Sequence, residues 1–181
     1  MLRKHLFLAA MLSGLAAATA TLAAEHMFSY DPANAQTRAL VDNGLTFVFE
    51  KSPMRFRVTE VLATQAKAKA ALEPAGEREL GASLNRLLPE RAVEHDLYRI
   101  TDQGEGPAMV HAFCPGSTKG WLVFGGVKAR RDLVVHVLGD DPAAGKAKLC
   151  ATLSFTYRGE WNMPNGDPRR SRNPPYATQR F

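Results

Sequence analysis

Lys148-Leu-Cys-Ala-Thr-Leu-Ser-Phe-Thr-Tyr-Arg158 alternates almost without fault, with Leu149, Ala151, Leu153, Phe155 and Tyr157 on one side and Cys150, Thr152, Ser154 and Thr156 on the other. A period of two is the signature of a strand with one buried face, and a polar second face belongs to an antiparallel sheet. Working back from it, Asp132-Leu-Val-Val-His-Val-Leu138 is β-branched and apolar, and the cluster Gly139-Asp-Asp-Pro-Ala-Ala-Gly145 supplies a turn between the two. Gly120-Trp-Leu-Val-Phe-Gly-Gly-Val127 reads as a third strand, joined by the solvated turn Lys128-Ala-Arg-Arg131.

Both cysteines lie at the edges of this meander. Cys114 precedes Pro115-Gly116, where a strand is expected to end, and Cys150 falls on the polar face, so its partner is expected over the outside or at an edge of the sheet. A Cys114–Cys150 disulfide closes a loop of 36 residues, worth about 3–4 kcal/mol in the chain-entropy model. Such a bond requires an oxidising compartment. The first residues supply the reason to expect one: Met1-Leu-Arg-Lys-His5 is basic, Leu6 to Ala18 is apolar, and small residues follow to Ala24. That order reads as a secretory signal peptide over residues 1–24, with cleavage after Ala20 or Ala24. The alternative is an uncleaved anchor, since the run approaches bilayer-spanning length. No cysteine lies near the cleavage positions, so the product is expected to be periplasmic or secreted and not a lipoprotein.

The formal charge of +5 belongs to the ends. Between Glu25 and Trp161 there are 17 basic and 17 acidic residues. A neutral body offers no electrostatic footprint for nucleic acid. Beyond Trp161 the chain holds four prolines and Arg169, Arg170, Arg172 and Arg180 with little apolar mass. Residues 162–181 are therefore expected to be a disordered basic tail, capable of weak contact with anionic surfaces.

The rest of the body, residues 25–161, reads as one domain. Pro32 to about Asn43 is expected to be a helix opened by Asp31-Pro32. Leu45-Thr-Phe-Val-Phe-Glu50 and Met54-Arg-Phe-Arg-Val-Thr59 form a hairpin, with Arg55 and Arg57 pointing outward. Gln65 to Ala75 is rich in alanine and lysine and predicts a surface helix or mobile connection. Leu80, Leu84, Leu87 and Leu88 make a helical stripe over 77–88, ended by Pro89. Glu94–Thr101 and Pro107–Phe113 are expected to pair as a further hairpin leading into Cys114. The sum is an α+β fold: an antiparallel sheet of six or seven strands with two or three helices and one disulfide.

Familiar chemistry is missing. No Gly-x-Ser-x-Gly elbow, His-Glu-x-x-His helix, Cys-x-x-Cys pair, calcium loop or phosphate loop occurs, and no metal or cofactor is expected. In Glu94-His95-Asp96 neighbouring strand residues face opposite ways, so the triplet is no ready-made acid–base cluster. His111, His136 and Trp121 are the residues that would contact a ligand if a cleft bordered them; a histidine satisfied by one hydrogen bond and a tryptophan packed on the disulfide or a sheet end are the plainer readings. The expected function is an exported, non-enzymatic module binding a protein or small ligand of the cell envelope. The alternatives are a hydrolase using His136 or dispersed carboxylates, and an inhibitor of a secreted enzyme presenting Lys128-Ala-Arg-Arg131.

Overall fold

Eight antiparallel strands close into a barrel in which every strand pairs with its sequence neighbours and the last pairs with the first. This computed structural model describes residues 24–52, 55–63 and 68–162. The leader predicted over 1–24 and the tail predicted over 162–181 lie outside those residues, apart from Ala24 and Asn162. The strands are β1 (Ala24–Pro32), β2 (Leu45–Ser52), β3 (Arg55–Ala63), β4 (Ala68–Pro74), β5 (Asp96–Ile100), β6 (Gly120–Phe124), β7 (Leu133–Asp141) and β8 (Lys146–Asn162).

The open sheet of six or seven strands is thus corrected to a closed barrel, and two unread strands account for the change. His26, Phe28 and Tyr30 alternate within β1, which pairs with β2 on one side and with the second half of β8 on the other. β8 is 17 residues long because it serves both β7 and β1. The second missed strand is β4, where a helix was expected. Alanine-rich sequence goes into a strand here because β3 and β5 offer it two ladders, and barrel closure outweighs a propensity preference of a few tenths of a kcal/mol per residue.

Eight strands enclose a space that side chains can fill. Phe28, Tyr30, Phe47, Phe49, Phe124 and Phe155 do so together with Leu45, Leu122, Val135 and Leu153. Polar residues point the other way, as with Thr152, Ser154, Thr156 and Arg158 on β8. Apolar-in and polar-out is the inverse of a barrel built to sit in lipid. The Tyr30 hydroxyl finds no hydrogen-bond partner among the described residues. Its pKa is raised, first by burial and then by Tyr157 and Asp132.

One end of the barrel is capped by helices. α1 is Ala35–Leu40, shorter than the helix expected over 32–43 because Asp31 and Pro32 belong to β1; the Asn34 side chain accepts from the Thr37 N–H as its N-cap. Thr37 is fully buried and its hydroxyl accepts from Ser154 N–H, a ladder group of β8 left over beyond β1. α3 spans Gly106–Phe113, where a strand was expected. Pro107 in its first turn and the spacing of Met109, Val110 and Phe113 are helical signals, and these three side chains stopper the barrel.

Cys114 is the C-cap of α3 and forms the disulfide to Cys150, with Cα atoms 5.4 Å apart. Cys150 does not sit on the polar face. The β7–β8 register shifts between Val137 and Leu138, leaving Cys150 as the extra residue of a bulge that packs against the interior cluster while Leu149 is exposed. The bond therefore ties the capping helix to the barrel wall. Gly139 lies across from it, and a Cβ there would collide with Cys114 Sγ and Ser117 Oγ.

Between β4 and β5 the chain lies across the outside of β5, β6 and β7. The helix expected over 77–88 is two pieces, a 3-10 turn Glu77–Leu80 and α2 at Leu84–Leu87. Gly81 splits them in the left-handed region at φ +65°. The leucine stripe survives the break: Leu80 and Leu84 are buried against Trp121, Val123, Leu97, Leu138 and Ala147, with Leu87 and Leu88 half-buried beside them. This is a second apolar layer outside the barrel wall.

Candidate functional site

His136 sits in the most apolar strand with Val135 and Val137 directed into the barrel, so by alternation its ring points outward. There it joins a row across four strands, Leu97–Val123–His136–Thr152, set by the ladder registers. Outward does not mean exposed, because the crossing segment covers it and leaves His136 only 2% exposed. Both ring nitrogens are engaged: Nε2 lies 3.1 Å from Glu94 Oε2 and Nδ1 lies 3.0 Å from Thr152 Oγ1. An ionised carboxylate only accepts, so Nε2 carries the proton, and in the neutral ring Nδ1 accepts the Thr152 hydroxyl proton.

Burial opposes ionisation of Glu94, but hydrogen bonds from His136 and from the backbone N–H groups of Glu94 and Val93 outweigh it, and its pKa is lowered. The Glu94 side chain is 14% exposed. A second pin holds the other end of the crossing segment. Trp121 Nε1–H donates to Glu79 Oε2 at 3.4 Å, and Arg99 pairs with Glu79 at 3.5 Å and with Glu73. Trp121 therefore packs beneath this segment, on the outer layer of the barrel.

Hydroxyl, imidazole and carboxylate in line have the composition of an acyl-transfer relay. Two features oppose that use. Thr152 is in the middle of a strand whose backbone N–H groups serve the ladders with β7, so no pair of free donors faces its hydroxyl as an oxyanion site needs. The imidazole is sealed, with solvent reaching only the carboxylate end. The arrangement works as a polar clamp between the crossing segment and the barrel.

A concave surface among the described residues lies elsewhere. At the capped end a groove of about 180 Å³ runs between α1 and α3, lined by Leu40, Ala63, Ala108, Met109, Ala112 and Phe113, with Glu105 beside them. Glu105 Oε2 accepts from Lys69 N–H at 2.7 Å, fastening α3 to β4. Leu40 is 40% exposed at its edge, extending the apolar surface outward.

The sequence candidates part company here. His136 and Trp121 share the outer layer of β6 and β7, away from the groove. His111 is exposed in the last turn of α3. Glu94 was missed as the partner of His136 because 42 residues separate them. Met109 and Phe113 were missed as groove residues because their segment was read with a period of two. Among the described residues no three His, Cys, Asp or Glu side chains come together as a metal site. Comparison of the chain with protein-family models, with curated proteins and with solved structures found no match.

Proposed function

We propose that this chain is an exported, non-enzymatic binding module that accepts an apolar anchor of a partner protein in the groove between α1 and α3. The observation that carries the reading is the separation of chemistry from concavity. The polar groups suited to catalysis are sealed under the crossing segment, whereas the groove is walled by apolar side chains and one carboxylate already engaged with β4. Size selects the class of ligand. Sites for drug-sized molecules run to roughly 300–1,000 Å³, while an apolar space of about 150 Å³ takes a benzene-sized guest. A groove of about 180 Å³ suits one aromatic or branched aliphatic side chain, the usual anchor of a protein interface.

The leader-like start and the disulfide support placement outside the cytosol, in the periplasm or beyond. No observation favours the hydrolase or inhibitor readings over this one. In the test, a photo-crosslinking amino acid is placed at Ala108 in the producing cell, with a second probe at exposed Arg78 as control. A discrete protein adduct from position 108, absent from position 78 and abolished by the groove-filling Ala112→Trp, is expected. Hydrolytic turnover by the purified protein that disappears in His136→Gln would overturn the proposal, as would crosslinking that ignores Ala112→Trp.

A further inference from the structure

The end of the barrel opposite α1 and α3 gathers features that the binding groove does not use. Antiparallel pairing places there the start of β1, the β2–β3 hairpin, the β6–β7 connection and the end of β8. Two exposed aromatic side chains of the described barrel, Phe56 at 45% and Trp161 at 42%, are both at this end. Phe56 stands at the mouth against Phe49, with ring centroids 4.6 Å apart. Trp161 pairs with Met27 on the neighbouring wall.

Exposed cations surround the mouth. Arg57 on β3 and Lys128, Arg130 and Arg131 on the β6–β7 connection are exposed and enter no ion pair among the described residues. Most acids at the same end are engaged: Asp132 accepts from Tyr157 N–H, Glu160 lies 3.3 Å from His26, Glu94 holds His136, and Asp96 lies 3.6 Å from His95. Among the described side chains, Glu50 and Glu90 are exposed exceptions. Ala24 and Asn162 also sit here.

We propose that this end docks on an anionic phospholipid surface, with Phe56 and Trp161 entering the headgroup region and Arg57, Lys128, Arg130 and Arg131 facing lipid phosphates. Aromatic rings that are apolar in body and cations on flexible stems are what an interface between water and hydrocarbon accommodates. Each cation near such a surface strengthens binding by on the order of fivefold at low salt. The groove then faces away from the membrane, toward whatever partner approaches.

The experiment uses the purified exported protein and vesicles of phosphatidylcholine alone or with phosphatidylglycerol. Cosedimentation is expected to rise about tenfold or more with phosphatidylglycerol and to fall with salt. Because Trp121 is buried and Trp161 exposed, a blue shift of tryptophan emission on binding is expected, and Trp161→Phe removes it. Phe56→Ala with Trp161→Ala is expected to lower binding by about tenfold, and separately Arg130→Glu with Arg131→Glu by about 25-fold or more, both at unchanged circular dichroism. Equal binding to both vesicles, or none, overturns the proposal. Binding that ignores both double variants yet vanishes when residues 163–181 are deleted also overturns it, since the tail alone would then be the contact. So does a protein adduct, in place of a lipid adduct, from a photo-crosslinker at position 161.

Discussion

Replacing Glu94 by alanine leaves the Nε2–H of His136 without its carboxylate in a site where the imidazole side chain is only 3% exposed. The charge-assisted hydrogen bond is worth about 1.5–3 kcal/mol, which overlaps the cost of about 1–3 kcal/mol for leaving the buried donor unsatisfied, since both measure one loss. Glu94 itself is partly open to water, which moderates the first figure, so a loss of about 2–3 kcal/mol at pH 7 is expected. Glu94→Gln keeps an acceptor and removes only the charge, for about 1 kcal/mol. The pH dependence follows from the lowered carboxyl pKa. A carboxyl whose folded pKa lies below its unfolded value stabilises the fold above the unfolded pKa and loses that contribution as pH falls through the folded one. The difference between native and Glu94→Ala should therefore hold from neutral pH down to the ordinary glutamate range and shrink below it. Urea unfolding between pH 3 and pH 8, with a double-mutant cycle to His136→Ala, measures both quantities. A coupling energy below about 0.5 kcal/mol at pH 7, or a difference that grows on acidification, would refute the clamp.

The disulfide and the buried tyrosine give two further tests. Cys114→Ala with Cys150→Ala should lose about 3–4 kcal/mol, and hydrogen exchange should detect the loss first in α3; uniform loss of protection would deny that the bond chiefly secures the cap. Tyr30→Phe removes a buried hydroxyl that has no partner among the described residues, so stability should stay level or rise by up to about 1 kcal/mol by thermal unfolding, and a clear fall would mean that the hydroxyl is satisfied.

How much of the fold could be read depended on whether neighbours or the whole molecule decided a segment. β2, β3 and β8 carry their own alternation, β6 and β7 are short apolar runs bounded by turn residues, and the hairpin joining β2 to β3 was legible from Lys51-Ser-Pro53. β4 was not, since Ala70 and Leu72 are its buried contacts and only the ladders to β3 and β5 make it a strand. β1 was legible but overlooked, because a period of two beginning at the foot of an apolar leader reads as its continuation. Missing β1 also hid closure, because without it the second half of β8 has no partner. Local signals failed differently at the cap. Pro107 and the 109, 110, 113 spacing mark a helix, yet the same residues fit a short apolar strand, and a run of seven residues is too brief for periodicity to arbitrate. The Cys114–Cys150 pairing was available from a count of two cysteines, while the side of Cys150 was not, because a bulge shifts the register without a sequence mark of its own.

The solid interior explains why function is assigned to the ends and not to the centre. An eight-stranded barrel can hold a small ligand only if its inward positions are small, and here Phe28, Tyr30, Phe47, Phe49, Phe124 and Phe155 occupy them. Burying one such ring contributes about 2–3 kcal/mol, so emptying the barrel enough to admit a ligand would remove a large share of a typical domain's net stability. The remaining surfaces are the wall, which is polar or covered by the crossing segment, and the two ends. At the capped end a disulfide fixes α3, and a fixed helix keeps Met109 and Phe113 in position to form a groove before any partner arrives. At the other end Phe56 and Trp161 remain exposed, because the filled interior has no room for them. Retaining two rings in water beside unpaired arginines costs solubility unless something covers them, and that asymmetry between the ends is what a module moored at one end and read at the other would need.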